Sequence, residues 1–241
     1  MTVASRLSVI RDRIASAARR SGRSPSDVAL VAVSKFQPVS AIEEAYAAGQ
    51  RLFGENRVQE SEEKSRALAH LINSPDPLRL ELIGVLQSNK VRKAVASVVR
   101  IQSIDSVDVG VRVGRVAAET GRTMPVLIQV DLASETTKAG IPAADLFGAL
   151  ESLRGAPGIT VVGLMAIPPF FENAEDVRPF FARLRALRDD AAARGLLVGS
   201  ELSMGMSHDF EVAIEEGATI VRIGTAIFGD RPPKQAEAAA S

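Results

Sequence analysis

From residue 29 onward, short β-branched runs alternate with longer amphipathic segments, and eight such pairs can be counted along the chain. The strand candidates cover 29–35, 51–55, 79–84, 100–104, 126–132, 160–167, 201–204 and 219–223. Each of the first seven leads into a helix candidate. Pro38 fits a first helical position and Gly49 a C-terminal cap, while Pro142, Gly195 and Gly217 mark other helix ends. Ahead of this series, Val3, Leu7, Ile10, Ile14 and Ala17 share one helical stripe. Residues 1–23 are therefore expected to form a docked N-terminal helix that ends at the break from Gly22 to Pro25.

Eight strand–helix units, with crossovers too long for hairpins, predict an α/β fold: a (β/α)8 barrel of the TIM type with an additional N-terminal helix. No Pro/Gly/Ser-rich linker divides the sequence, so one domain over 1–241 is expected. Asp230-Arg231-Pro232-Pro233 and the alanine-rich stretch after it, residues 230–241, read as a flexible tail.

Composition narrows the function classes. Of the 241 residues, 46% are hydrophobic and 24% charged, as in a protein able to bury a sizeable core. Acidic and basic residues balance at 29 each, so no global field draws in nucleic acid or an anionic membrane, and an anion has to be caught locally. Without cysteine there is no thiolate chemistry, and the two isolated histidines, His70 and His208, do not make a metal site. No apolar stretch reaches the roughly 20 residues of a membrane span. The arginine-rich start has the composition of a transit peptide, but its apolar stripe favours a docked helix, and a cytoplasmic protein is the expectation.

Only six lysines occur, and Lys35 ends the apolar run Ala29-Leu30-Val31-Ala32-Val33-Ser34. At the carboxyl end of a buried parallel strand, desolvation can make such an amine a nucleophile toward an aldehyde. The same mouth is expected to receive Asn56 from strand two, Asp131 from strand five, Met165 from strand six, Ser203 and Ser207 from strand seven, and Arg222, Gly224 and Thr225 from strand eight. Glu55, at the end of strand two, is expected on the same face. Barrels often hold a phosphate with the loops after strands seven and eight, and Gly224 would let the main chain approach an anion while the Thr225 hydroxyl donates to it. Ser207 is placed to cap the following helix and to join that cradle. A reactive lysine beside a phosphate cradle suits pyridoxal phosphate, and it also suits a sugar-phosphate aldolase. Arg222 helps choose: a guanidinium only donates, so facing a pyridine nitrogen it would keep that nitrogen unprotonated.

The blocks Ala32-Val33-Ser34-Lys35, Phe53-Gly54-Glu55-Asn56-Arg57-Val58-Gln59-Glu60, Ile83-Gly84 with Leu86-Gln87-Ser88-Asn89-Lys90, Gly163-Leu164-Met165-Ala166-Ile167-Pro168, Ser203-Met204-Gly205-Met206-Ser207 and 221–229 carry a resemblance. The chain resembles the pyridoxal-phosphate homeostasis proteins, single-domain barrels similar to the N-terminal domain of alanine racemase, over nearly its whole length. The resemblance implies a Lys35 Schiff base with pyridoxal 5'-phosphate, a phosphate held by Ser207, Gly224 and Thr225, and Arg222 facing the pyridine nitrogen. Asn56, Met165 and Ser203 would complete the cofactor-binding set. Leu80-Glu81 stands where the family usually has an aromatic-histidine pair, Asp131 where it has asparagine, and His208 where an acidic residue is common. His208 is expected at the surface, at the start of a helix.

Members of that family are thought to hold and supply the cofactor, with no established catalytic turnover, which makes recipient apo-enzymes the candidate partners; no nucleic acid or membrane partner is expected, and the chain is expected to be a monomer and not an enzyme. The alternative is an amino-acid racemase. Racemisation needs a base on each face of the α-carbon, and Lys35 supplies one. The single tyrosine, Tyr46, lies on the first helix after the opening strand, beside Ile42 and Ala45, where core packing is expected, leaving Lys138, His208 or a carboxylate as the remaining second bases.

Overall fold

A computed structural model of the chain describes residues 1–133 and 139–229. The expected tail at 230–241 and Lys138 lie outside the described residues. Eight parallel strands close into a barrel: β1 (Ala29–Val33), β2 (Leu52–Glu55), β3 (Arg79–Leu82), β4 (Arg100–Ile104), β5 (Met124–Asp131), β6 (Ile159–Met165), β7 (Glu201–Ser203) and β8 (Ile220–Ile223). Consecutive strands are neighbours around the ring, and β8 returns to β1 with Val31 opposite Arg222. The TIM-type α/β architecture expected from the hydrophobic pattern is the one observed.

Helix α1 (Val3–Arg20) precedes the barrel. The crossovers carry α2 (Val39–Ala47), α3 (Val58–Ala67), α4 (Val91–Ser97), α5 (Val107–Glu119), α6 (Leu146–Leu153), α7 (Arg178–Ala193) and α8 (Phe210–Glu215). After β8 comes one turn, α9 (Thr225–Phe228). That turn is too short to cover the seam between β8 and β1, and α1 takes its place. Its stripe of Leu7, Ile10, Ile14 and Ala17 is buried, and Thr2 caps its start by accepting from the Ser5 N–H at 3.2 Å. On its flanks Arg13 pairs with Glu211 (3.0 Å) and Arg20 with Glu215 (2.9 Å), both of α8, while the Val3 N–H reaches Glu44 of α2 (3.0 Å).

Two expected helix boundaries shift. Pro38 stands at the N-cap of α2, one residue before the first helical position, because its extended φ and ψ turn the chain out of the β1 loop. Pro142 belongs to a two-residue extension, Ile141–Pro142, paired with the end of β5, and α6 begins only at Leu146. Gly49, Gly195 and Gly217 follow helix ends with φ of +85°, +65° and +97°, the left-handed backbone that glycine adopts without a Cβ penalty.

Strand alternation sorts the side chains into two layers. Phe53, Leu82, Ile101, Ile128, Leu164 and Val221 face the helices, whereas Val31, Leu127, Met165 and Ile220 pack together in the barrel interior. Among the described residues no helix is long and apolar enough to cross a membrane.

Candidate functional site

Lys35 follows the end of β1 by two residues, and its neighbours are held firmly. The Ser34 N–H donates to Gly54 O (3.0 Å), and the Ser34 hydroxyl donates to Glu55 Oε1 (2.6 Å). Lys64, nearly buried on α3, donates to Ser34 O (2.7 Å) and to Glu55 Oε1 (2.8 Å). On the other side the Phe36 N–H donates to Glu60 Oε2 (2.8 Å), and Phe36 takes a φ of +64°. A bulky residue in left-handed backbone costs energy and persists only where its surroundings fix it. Here Glu60 and Lys64 fix it, so the half-buried Lys35 is presented from a braced turn. This differs from the expectation for Glu55. Outward alternation on β2 turns its carboxylate away from the mouth and into the helical layer, where burial pushes its pKa up against the opposing pull of Lys64.

Strand alternation turns Arg222 inward beside Ile220. The side chain is 3% exposed and anchored twice, donating to Ser203 Oγ at 2.5 Å and to Ala166 O at 3.0 Å. Burial lowers its pKa to about 10, partly offset by Asp209, which still leaves it cationic at neutral pH. Ser203 and Met165 are register partners and fully buried, forming the floor beneath the mouth.

Above Arg222 the chain turns at Gly224 into α9. A Cβ at Gly224 would lie 3.2 Å from Val33 O and 3.3 Å from Val33 Cβ, so the glycine lets this turn sit tightly against the end of β1. The N–H groups of Thr225 and Ala226 open the turn without helical partners, and the exposed Thr225 adds a hydroxyl. Ser207 was expected to cap α8, but Asp209 is the residue at that N-cap, with the Met206 N–H donating to Asp209 Oδ1 (2.6 Å). The half-buried Ser207 hydroxyl takes no hydrogen bond among the described residues and is open to a ligand. Asn56, directly after β2, packs its backbone under Gly84, where a Cβ would meet Asn56 O at 2.2 Å. With Arg57, Gln59, Gln87 and Lys90 it lines a cavity of about 560 Å³ beside the mouth.

His208 is exposed, as expected, in the turn just before α8. Its ring is 5.4 Å from that of Phe170, and its Nε2 is 3.0 Å from Glu172 O. Asp131 accepts from the Ala133 N–H at 3.0 Å, closing the turn after β5. Tyr46 is far from this face. Its hydroxyl donates to Asp76 O (2.7 Å) and meets Ser74 (3.1 Å), under the Arg51 guanidinium and near the start of β2. Lys64 and Gln102 were not expected to matter. Gln102 could have been noticed as a polar residue on the inward parity of β4, as Arg100 is, but Lys64 reads as one more charge on a solvated helix.

An amine, a donor-only cation and a turn whose first two N–H groups have no helical partner, gathered at one mouth, suit a ligand with an aldehyde, an aromatic nitrogen and a phosphate. Among the described residues no group of three or more His, Asp or Glu side chains could hold a metal ion.

Comparison with known proteins gives concordant matches. Residues 6–232 match the family described as alanine racemase, N-terminal domain. The pyridoxal phosphate homeostasis protein of Aquifex aeolicus (strain VF5) is 44% identical over 231 residues, which is 96% of this chain and 99% of that protein. The structure of PipY from Synechococcus elongatus PCC7942, with PLP bound, superimposes with a TM-score of 0.82 at 42% identity, covering 95% of this chain and all of PipY. An alanine racemase of Clostridium difficile 630 shares the fold alone, with a TM-score of 0.66 at 14% identity, and the shared region is 53% of that longer chain.

Proposed function

We propose that this chain, which belongs to the pyridoxal phosphate homeostasis proteins of the alanine racemase N-terminal-domain family, binds pyridoxal 5'-phosphate at the carboxyl-end mouth of its barrel and holds it for delivery to recipient apo-enzymes. When bound, the cofactor supplies an aldehyde for amine capture and an aromatic ring able to accept electrons. The residues present fit it. Lys35 would hold the aldehyde carbon as a Schiff base, Ser207, Gly224 and Thr225 the phosphate, and Arg222 the ring nitrogen. Asn56, Met165 and Ser203 would shape the remaining walls.

The carrying observation is Arg222: a buried, doubly anchored guanidinium one strand from Lys35, with no acceptor atom of its own. Such a group favours an unprotonated ring nitrogen, which weakens the ring as an electron sink and supports storage over turnover. The position of Tyr46 supports the same conclusion, since its hydroxyl is engaged near Asp76 and is no base for the far face of a substrate. PipY is described with PLP bound, which supports the choice of cofactor.

The test is the absorbance spectrum of the chain with added pyridoxal 5'-phosphate, before and after borohydride reduction, followed by peptide mapping. Reduction is expected to fix the cofactor on Lys35, and Lys35→Ala to lose the imine absorbance while keeping weaker, phosphate-anchored binding. Cofactor binding unchanged in both Lys35→Ala and Arg222→Ala would place the ligand elsewhere, and rapid α-hydrogen exchange with an amino acid would favour the racemase.

A further inference from the structure

Barrel interiors are ordinarily filled by branched apolar side chains. Here Val31, Leu127, Met165 and Ile220 fill part of the interior, while an unbroken chain of polar groups crosses it between β3 and β4 and the facing β7 and β8. Arg100 lies between Glu201 (2.5 Å) and Glu81 (2.6 Å). Gln102 Nε2 donates to the other oxygen of Glu81 (2.5 Å), the Ser203 hydroxyl donates to Gln102 Oε1 (2.5 Å), and Arg222 donates to Ser203 Oγ (2.5 Å). Glu81, Gln102 and Ser203 are all at most 1% exposed.

Burying this many polar groups is costly unless every link is made, and each link here has a direction imposed by its ends. An ionised carboxylate only accepts, so Glu81 takes the Gln102 amide NH2 and turns the Gln102 carbonyl toward Ser203. A hydroxyl has one hydrogen, which Ser203 gives to that carbonyl. Its lone pair is then left for Arg222, which has none to offer in return.

We propose that Glu81 and Gln102 are positioning residues for the cofactor site: they fix the direction of this hydrogen-bond chain, hold Ser203 as an acceptor, and so set the orientation in which Arg222 meets the ring nitrogen. The inference rests on the proposed function. It also gives a role to Glu81, one of the positions at which this sequence departs from the family pattern.

Isosteric exchange tests direction separately from packing. In Glu81→Gln the remaining oxygen still accepts from Arg100, so the new amide NH2 faces Gln102, which inverts and releases the Ser203 hydrogen. With the full-length chain and pyridoxal 5'-phosphate, the pH midpoint of the bound-cofactor absorbance is expected to move, and affinity to fall about three- to tenfold, the effect of one net hydrogen bond. The exchange Glu81→Gln/Gln102→Glu puts a carboxylate oxygen, again an acceptor, opposite Ser203, and is expected to restore both. A Glu81→Gln protein with wild-type midpoint and affinity, or an exchange no better than the single variant, overturns the inference while leaving the function standing. Wild-type protein that takes up no cofactor overturns both. If Glu81→Gln does not fold, Gln102→Leu keeps the Arg100–Glu81 pair and frees the same hydrogen: a moved midpoint supports the inference, and a wild-type midpoint overturns it.

Discussion

Glu55 has no solvent exposure, one oxygen shared by Ser34 and Lys64, and a second oxygen, Oε2, with no hydrogen-bond partner among the described residues. Burial raises its pKa above the ordinary 4.5, with Lys64 pulling the other way. Between those two values the folded chain keeps a proton that the unfolded chain has released, so stability falls as pH rises through the window. Relative to Glu55→Gln, the wild-type melting temperature is therefore expected to decline as pH increases from about 4.5, and parallel curves for the two proteins would refute this. Glu55 also shows where sequence ran out at this scale. Lys35 stood out because an ammonium ends an apolar run, and Arg222 and Gly224 because of their place in a strand-to-turn block. Whether Glu55 faced the mouth or the helices depended on a one-residue parity, and one step along a strand moves a side chain to the other face. The partner that decides the matter, Lys64, is contributed by a helix whose pattern gives no hint of burial.

At the level of elements, all eight strands and the helices after the first seven were legible, because a period of two giving way to a period near 3.6 records which face each segment buries. Pro38 lies one residue and Pro142 a few residues before the helix each was expected to mark, since a proline fixes its own φ without saying whether the helix starts at once or after a further turn. The docking of α1 was visible in its stripe, but its place in the ring was not. That follows from α9 being a single turn, which leaves the β8–β1 seam for another helix to cover. The seam is also the wall that carries both Lys35 and Arg222. Leu7, fully buried on α1, contributes to closing it, and Leu7→Ala is expected to cost about 2–5 kcal/mol in urea unfolding, the usual range for a buried leucine. A loss under about 1 kcal/mol would mean that α1 is an appendage and not part of the barrel wall.

For the whole molecule, charge balance and site geometry lead to one expectation. With acidic and basic residues equal at 29, nothing in the global field gathers an anionic cofactor, so binding energy is expected to come from the proposed local set at the mouth, much of it on β8 and the turn after it. Those elements border α1, β1 and β7, so a ligand fixed there ties together early and late segments of the barrel. Ligand that binds only the folded state adds about 2.7 kcal/mol at a free concentration one hundred times its dissociation constant. For a chain of this size that corresponds to a rise in melting temperature of about 5–10 °C. Lys35→Ala at the same free cofactor concentration is expected to retain a smaller rise, because main-chain donors at Thr225 and Ala226 survive the loss of the amine. Gly224→Ala is expected to reduce the rise further than Lys35→Ala reduces it, since a Cβ only 3.2 Å from Val33 O makes the turn that presents those donors give by a few tenths of an ångström. The reverse order in calorimetry would mean that the covalent bond, and not the cradle, supplies most of the affinity.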